Sequence, residues 1–345
     1  MGFNNSQKEI QKINIAQINL SIFETVRKVK RGDIGLEAEF QRKPKWKPDK
    51  KSRLIESIIL DIPIQAIYLS EEEENKFEII DGQQRIRTIF EFLNNDFKLE
   101  GSLFNDKKYF SELEVSIQRK IEDFQLVIFV VKKDNNPDIK FEIFERINTG
   151  ASKLNSQELR NCVYRNKGIP FIKELSNEVA FKDAIKDKRV NFNGMQDNEL
   201  VLRFMSFYYR GYNQYTGNLK AFLNNTLDNY NQYKDKEDTF KKIFIMTMES
   251  INNVFGKSAF LIKNKNNNTN KINIALFDIL TYTFSKYSYT QLNNKGDKIK
   301  NRLISLINNN KEFANALTGA STTTKEKTNI RFSIWEKAMA EIMEE

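Results

Sequence analysis

Residues 76–93 read KFEIIDGQQRIRTIFEFL, and the hydrophobic periodicity changes within this stretch. Residues 77–80 are a short, mostly apolar run that is typical of a buried strand. From Gln83 onward the apolar residues recur at helical spacing, which predicts a helix over 83–93. The chain therefore passes from strand to helix through a turn at Asp81-Gly82. The elements on either side are predicted relative to this turn.

The turn has the properties of an anion site. The first amides of a helix have no intrahelical partner, and the helix dipole favours negative charge there. Gly82 lets the backbone approach a phosphate closely, and Arg85 could bind one through two nitrogens. Asp81 could hold Mg²⁺ or cap the helix. Local chemistry alone leaves a second interpretation open, a capped turn with surface glutamines.

The surrounding elements predict an α+β fold. A mixed sheet with helices packed against it accounts for the order of apolar runs and amphipathic stretches. Helices are predicted over 21–32 and 52–60, and strands over 36–41, 65–70, 76–80 and 125–131. An acidic turn at Glu71–Glu74 is predicted to join the two central strands. Ser21 is the expected N-cap of the first helix.

Beyond residue 137 the sequence becomes helical in pattern. Asn155, followed by Glu158, predicts a capping box at the start of a helix. Periodic apolar residues continue almost to the C-terminus, interrupted by a polar loop at 264–271. We therefore expect two domains, a mixed-sheet domain over 1–150 and an all-helical domain over 151–345.

Composition restricts the chemistry. The chain of 345 residues has no histidine, so Ser-His-Asp and Cys-His nucleophile systems, histidine bases and His-containing metal sites are excluded. The single cysteine, Cys162, excludes an intramolecular disulfide and fits a reducing compartment. No signal peptide or membrane-spanning run is evident in the sequence, so we expect a soluble, cytoplasmic protein.

Positive charge suggests a polyanionic partner. The net charge is +9, and seven basic residues lie between Arg42 and Arg53 against the single acidic Asp49. Such a stretch can contact DNA phosphates, and an aromatic side chain within it can stack on a base. The candidate DNA contacts are Arg42, Lys43, Lys45, Trp46, Lys47, Lys50 and Lys51. The alternative is a solvated loop with Trp46 packed in the core.

Several motifs occur in an order that resembles one family. Besides EIIDGQQRIRTIFEFL, they are FQR at 40–42 followed by Trp46, LIESI at 54–58, IPI at 62–64, and FERINTG at 144–150 followed by Leu154 and Glu158. This set is similar to the N-terminal domain family of GmrSD-type restriction enzymes, a branch of the ParB/sulfiredoxin-like nucleotide-binding fold. The resemblance covers about 120 residues and says less about residues 170–345.

The resemblance implies a domain that binds and hydrolyses a nucleoside triphosphate in a restriction or anti-phage system that recognises modified DNA. The implied nucleotide-binding residues are Asp81, Gly82, Gln83, Gln84, Arg85, Arg42 and Asn148. Asp81, Gln84 and Arg85 are the candidate catalytic residues, and Asp81 is the candidate Mg²⁺ ligand. Many family members also carry a histidine-dependent nuclease domain, which a chain without histidine lacks. Either a separate nuclease partner cuts, or the chain works without cutting, or an unrecognised carboxylate site does the cutting.

Three functions follow from these observations. The first is a nucleotide-dependent, DNA-sensing component of a defence system, with Mg²⁺ as cofactor. The second is a non-enzymatic module that binds DNA or a protein and uses the turn only structurally. The third is a histidine-free nuclease or nickase, which would need a cluster of acidic metal ligands that the sequence does not show.

Overall fold

The computed structural model describes residues 14–36, 46–101, 104–135, 137–147, 155–165, 167–186, 188, 190–262 and 271–344. The chain divides into two compact units, Met1–Leu154 and Asn155–Glu345. The boundary that we expect, between residues 150 and 151, falls in a stretch outside the described residues.

A mixed sheet forms the centre of the N-terminal unit, as predicted, and it has five strands, of which the strand at Ile15–Ser21 was not predicted from the sequence. Its strands lie in the order β1-β7-β3-β4-β2. The β1–β7 and β3–β4 pairs are antiparallel, whereas β3–β7 and β2–β4 are parallel. A separate antiparallel pair is formed by β5 and β6. The strand bounds are β1 Ile15–Ser21, β2 Ile34–Gly35, β3 Ile67–Glu73, β4 Lys76–Asp81, β5 Leu99–Gly101, β6 Phe104–Lys108 and β7 Gln125–Val131.

Five helices belong to this unit: α1 Ile22–Lys30, α2 Pro48–Ile59, α3 Gln83–Leu93, α4 Val115–Asp123 and α5 Pro137–Ile147. Ser21 caps α1 as predicted, because its hydroxyl accepts a hydrogen bond from the Glu24 amide at 3.1 Å. The apolar face of α3 joins a core that includes Ile55 of α2 and Ile128 of β7. Burial of that face explains why residues 83–93 fold as a helix.

Two predicted boundaries differ from the structure. Helix α2 begins at Pro48 rather than at Ser52, because proline is well suited to the first helical position. Strand β3 extends through Glu73, so most of the acidic run belongs to the strand, and the turn is confined to Glu74 and Asn75, with Asn75 at a φ of +62°. The strand predicted over 36–41 lies largely outside the described residues, and β2 precedes it.

The C-terminal unit is helical, as predicted. Its helices are α6 Ser156–Val163, α7 Ile169–Ser176, α8 Val179–Ile185, α9 Gln196–Arg210, α10 Leu219–Asp228, α11 Glu237–Phe255, α12 Ile274–Phe284, α13 Tyr289–Asn294, α14 Gly296–Asn309, α15 Lys311–Thr318 and α16 Lys325–Glu344. The core contains many aromatic side chains, among them Phe204, Phe207 and Phe332.

A buried ionic cluster joins three of these helices. Asp278 of α12 is fully buried and accepts two hydrogen bonds from Arg203 of α9, from Nε to Oδ1 at 2.8 Å and from Nη2 to Oδ2 at 2.5 Å. Arg331 of α16 approaches the same carboxylate, with Nη2 3.4 Å from Oδ2. Both arginines are at most 3% exposed. One carboxylate therefore contacts two buried guanidinium groups, and Glu199 of α9 adds a second negative charge 3.9 Å from Nη1 of Arg203.

Replacing Asp278 tests this cluster. Asp278→Asn should lower the free energy of unfolding by about 3–5 kcal/mol, because removing one partner leaves buried charges uncompensated. Urea denaturation measures the change. The control is Thr283→Val on the same helix, which removes the acceptor of the 2.8 Å hydrogen bond from Trp335 and should cost about 1–3 kcal/mol. An Asp278→Asn loss no larger than the Thr283→Val loss would contradict the ionic role.

Candidate functional site

The turn between β4 and α3 requires glycine. Gly82 has a φ of +100° and a ψ of 4°, a left-handed conformation that other residues adopt at a cost. A Cβ at this position would lie 2.9 Å from Cγ1 of Ile67 on β3, which is too close. The backbone geometry and the packing against Ile67 thus account for Gly82 without a ligand. The glycine alone is not evidence for a phosphate.

The N-terminus of α3 carries free hydrogen-bond donors. Among the residues that the structure describes, no side chain caps the helix. The amide of Ile86 donates to the carbonyl of Gly82 at 2.9 Å, which starts the helical ladder. The preceding amides, those of Gln83, Gln84 and Arg85, have no hydrogen-bond partner within the described part of the chain. An anion at the helix N-terminus would satisfy these donors and would interact favourably with the helix dipole.

Arg85 is held in place by three hydrogen bonds. Its Nη1 donates to Oε1 of Gln65 at 2.9 Å, and its Nη2 donates to the carbonyl of Ala66 at 3.1 Å and to Oδ2 of Asp81 at 2.6 Å. The side chain is only 11% exposed. Its Nε is buried and has no partner among the described residues. The guanidinium group is therefore fixed close to Gly82, where an added Cβ would lie 3.3 Å from Nη2, and its Nε has no partner in the described part of the chain.

Asp81 pairs with Arg85 and does not cap α3. Its side chain is 39% exposed, so the carboxylate remains accessible to solvent. Of the described residues, no group of three or more Asp, Glu, Cys or His side chains could hold a metal ion. Mg²⁺ commonly binds through one or two carboxylates together with substrate phosphates and water. Asp81 fits such a site only if a nucleotide supplies the other ligands.

The two glutamines of the turn differ in environment. Gln83 is 5% exposed, and its Nε2 donates to the carbonyl of Leu36 at 2.8 Å. Arg87 donates to the same carbonyl at 3.3 Å. Gln83 thus ties α3 to the end of the β2 segment. Gln84 is half-buried, and its side chain has no hydrogen bond to any described residue. Gln84 is therefore the glutamine whose amide is available to a ligand.

Only some of the remaining predicted site residues are among those that the structure describes. Arg42, Lys43, Lys45 and Asn148 lie outside the described residues. Trp46 is half-buried and packs against the core of the N-terminal unit. The Lys50 ammonium lies 4.4 Å from the centre of the Trp46 ring. This packing favours a structural role for Trp46.

Lys47, which precedes α2, and the two lysines of α2 differ in exposure and pairing. Lys47 and Lys50 are exposed. Lys51 is ion-paired with Glu91 of α3, and its side chain is 15% exposed. Lys47 and Lys50 are thus the described lysines of this stretch that can contact DNA without giving up an ion pair.

Sequence reasoning missed the residues that hold Arg85. Gln65 and Ala66 lie just before β3, directly after the IPI motif at 62–64. The position of that motif was the only available signal, since pairing of β3 with β4 brings residues 65–66 to the turn. The N-terminal part of α3 therefore depends on a segment about 20 residues earlier in the chain.

Glu158, which ends the motif that begins with FERINTG at 144–150, has a structural role. In the C-terminal unit, Oε2 of Glu158 accepts a hydrogen bond from the Asn155 amide at 2.7 Å, and Asn155 Oδ1 accepts from the Glu158 amide at 3.0 Å. This is the predicted capping box, and it is confirmed. The neighbouring Arg160 was not singled out from the sequence, yet it is 2% exposed and donates to Asn224 Oδ1 at 3.1 Å. Burial lowers the pKa of Arg160 to about 10.

Replacement of Gly82 tests the geometry of the turn. Gly82→Ala should destabilise the N-terminal unit by about 1–2 kcal/mol for the left-handed conformation and by about 1–3 kcal/mol more for the contact with Ile67. Urea denaturation measures the loss. Gly32→Ala is the control, because Gly32 has a φ of +71° but no atom within 4 Å of an added Cβ. Equal losses in the two variants would contradict the role of Ile67.

Comparison with known proteins gives one match. Residues 22–165 match the model of the family described as GmrSD restriction endonuclease, N-terminal domain. No curated protein and no solved structure matches the chain. No described helix has the length and apolar character needed to cross a membrane. The match includes the strand–turn–helix around Gly82 and extends through the capping box, so the predicted family is confirmed for residues 22–165, which match its model.

Proposed function

We propose that the turn at 81–85 binds the phosphates of a nucleoside triphosphate and that the chain is a nucleotide-dependent, DNA-sensing component of a restriction or anti-phage system. The family match supports the restriction context. One observation carries the proposal of nucleotide binding: three backbone amides in the first turn of α3, and the buried Nε of Arg85 in the same turn, have no hydrogen-bond partner among the described residues. Phosphate oxygens accept hydrogen bonds from the amides of a helix N-terminus and from arginine side chains.

Each residue of the turn would have a separate role in binding or catalysis. The amides of 83–85 and the guanidinium of Arg85 would hold phosphate oxygens, and Gln84, with its free side-chain amide, would orient the attacking water. Mg²⁺, when bound, would be held by Asp81 and the phosphates and would neutralise negative charge. Asp81 also neutralises Arg85 in the structure, at 2.6 Å. A nucleotide must therefore compete with this carboxylate for the guanidinium group.

Replacement of Arg85 tests nucleotide binding. A bound nucleoside triphosphate should raise the free energy of unfolding of the unmodified protein by about 2.7 kcal/mol at a ligand concentration of 100 Kd. A thermal-shift series with nucleoside triphosphates, with and without Mg²⁺, measures this stabilisation. Arg85→Ala should abolish that stabilisation, because it removes the charge and the unsatisfied donor together.

Arg85→Ala also breaks structural contacts, so a control is required. Gln65→Ala removes one of the acceptors that hold Arg85 but leaves the guanidinium and the amides in place. This variant should keep its nucleotide-dependent shift. If folded Arg85→Ala binds triphosphate as the unmodified protein does, the proposed site is wrong, and the turn is only structural.

A second candidate function, DNA binding without enzymatic activity, is favoured by the two exposed lysines at 47 and 50. The third candidate, a nuclease, has less support because the described residues contain no acidic metal cluster. The test of nuclease activity is metal-dependent strand cleavage by the purified chain. Nucleotide binding and DNA binding are compatible, so they are measured separately.

The double variant Lys47→Ala/Lys50→Ala tests the DNA contact. If both lysines contact phosphates, DNA affinity should fall, and the slope of log K against log salt should decrease in magnitude by about 1.8, or about 0.9 per lost contact. Fluorescence anisotropy over a range of salt concentrations measures both quantities. Arg27→Ala/Lys30→Ala removes the same charge from exposed positions of α1 and is the control. Equal slope changes in the two variants would show that only net charge matters.

A further inference from the structure

In the described part of the N-terminal unit, β1 lies at an open edge of the sheet. This strand pairs with β7 on one side, and no strand of the described residues pairs with its other side. Its seven residues, IAQINLS, include no charged residue and no proline, and its pairing with β7 has no register shift. Edge strands usually carry charges, prolines or bulges that prevent pairing with other chains. β1 has none of these protections.

Alternate residues of β1 present their backbone groups at the open edge. Two backbone hydrogen bonds flank the β1–β7 ladder, Lys132 N to Asn14 O at 3.1 Å and Ile22 N to Phe124 O at 3.0 Å. By the alternation of an antiparallel ladder, the backbone groups of the even-numbered residues face β7. The amides and carbonyls of Ile15, Gln17 and Asn19 therefore face outward, and none of them bonds to a side chain of the described residues.

This edge is complementary to a second copy of itself. In an antiparallel pair centred on Ile18, Gln17 of one copy lies opposite Asn19 of the other, and Ile15 lies opposite Ser21. Residues with outward-facing backbone groups then meet one another, as hydrogen-bonded pairs require. In this register, residues that lie opposite each other have their side chains on the same face of the joined sheet. The facing side chains at 17 and 19 are uncharged amides, which are both exposed in the single chain.

Large apolar side chains are exposed beside the same edge. Ile15 at the start of β1 is 40% exposed, Phe23 in the first turn of α1 is 54% exposed, and Val127 of β7, opposite Asn19 in the ladder, is 38% exposed. In the two-fold pair, Ile15 of one copy lies opposite Ser21 of the other, which is two residues before Phe23. Pairing would therefore bring apolar side chains from both copies together at each end of the strand.

We propose that the chain forms a two-fold homodimer by antiparallel pairing of β1 with β1 of a second copy. The pairing would join two five-stranded sheets into one continuous sheet. Such an interface is isologous, because the same residues contribute from both copies. The proposal does not depend on nucleotide or DNA binding.

Two double variants at the same positions test the pairing and its register. Gln17→Lys/Asn19→Lys places lysine opposite lysine across the two-fold axis and should raise the dimer dissociation constant by about 100-fold or more, since facing like charges cost several kcal/mol. Gln17→Lys/Asn19→Glu places lysine opposite glutamate and should remain dimeric. Sedimentation and light scattering over a range of protein concentrations measure the mass, and circular dichroism verifies that each variant is folded.

The outcomes separate the possibilities. A dimeric unmodified protein, a monomeric lysine–lysine variant and a dimeric lysine–glutamate variant are the expected results. A monomer at every concentration of the unmodified protein would overturn the proposal. So would a dimer that the lysine–lysine variant does not weaken, because the interface would then lie elsewhere. Loss of the dimer in both folded variants would overturn the register centred on Ile18.

Discussion

Arg85 joins the start of α3 to two neighbouring strands. Its guanidinium group donates to Gln65 and to the carbonyl of Ala66 ahead of β3, and to Asp81 at the end of β4. The turn itself can be this tight because Gly82 adopts a left-handed conformation against Ile67. These contacts fix the direction in which the free amides of α3 point. The proposed phosphate site depends on this arrangement, since donors that are fixed beforehand lose less entropy on binding.

The same contacts impose a constraint on any ligand. Asp81 already neutralises Arg85, so a phosphate gains the guanidinium only by displacing or sharing with the carboxylate. A divalent cation at Asp81 would remove that competition and add positive charge. In the proposed site, metal and nucleotide binding would therefore be coupled through a single ion pair. Such a site would need few acidic residues, because the nucleotide itself would supply most of the metal ligands.

Much of the fold could be predicted from the sequence, because local signals agreed with the tertiary structure. The strand–turn–helix around Gly82, the cap at Ser21 and the capping box at Asn155 each depend on neighbouring residues in the chain. The start of α2 was placed too late because the apolar periodicity begins after the helix does, whereas Pro48 marks the true start.

The contacts of the site were harder to predict, because they join residues that are distant in sequence. No local pattern indicated that Gln65 would hold Arg85 or that Gln83 would bind the carbonyl of Leu36. The interior of the C-terminal unit shows the same limit, since Asp278 is paired with arginines 75 and 53 residues away. Such pairs depend on how helices pack, which hydrophobic periodicity does not specify.

The central claim is that a nucleotide phosphate binds the amides at the start of α3. Hydrogen exchange of residues 83–85 tests it most directly, because these amides have no partner among the described residues and should exchange quickly without ligand. Addition of a nucleoside triphosphate with Mg²⁺ should slow their exchange in the unmodified protein and leave it unchanged in Arg85→Ala. Unchanged exchange of these amides in the unmodified protein at saturating nucleotide would contradict the account.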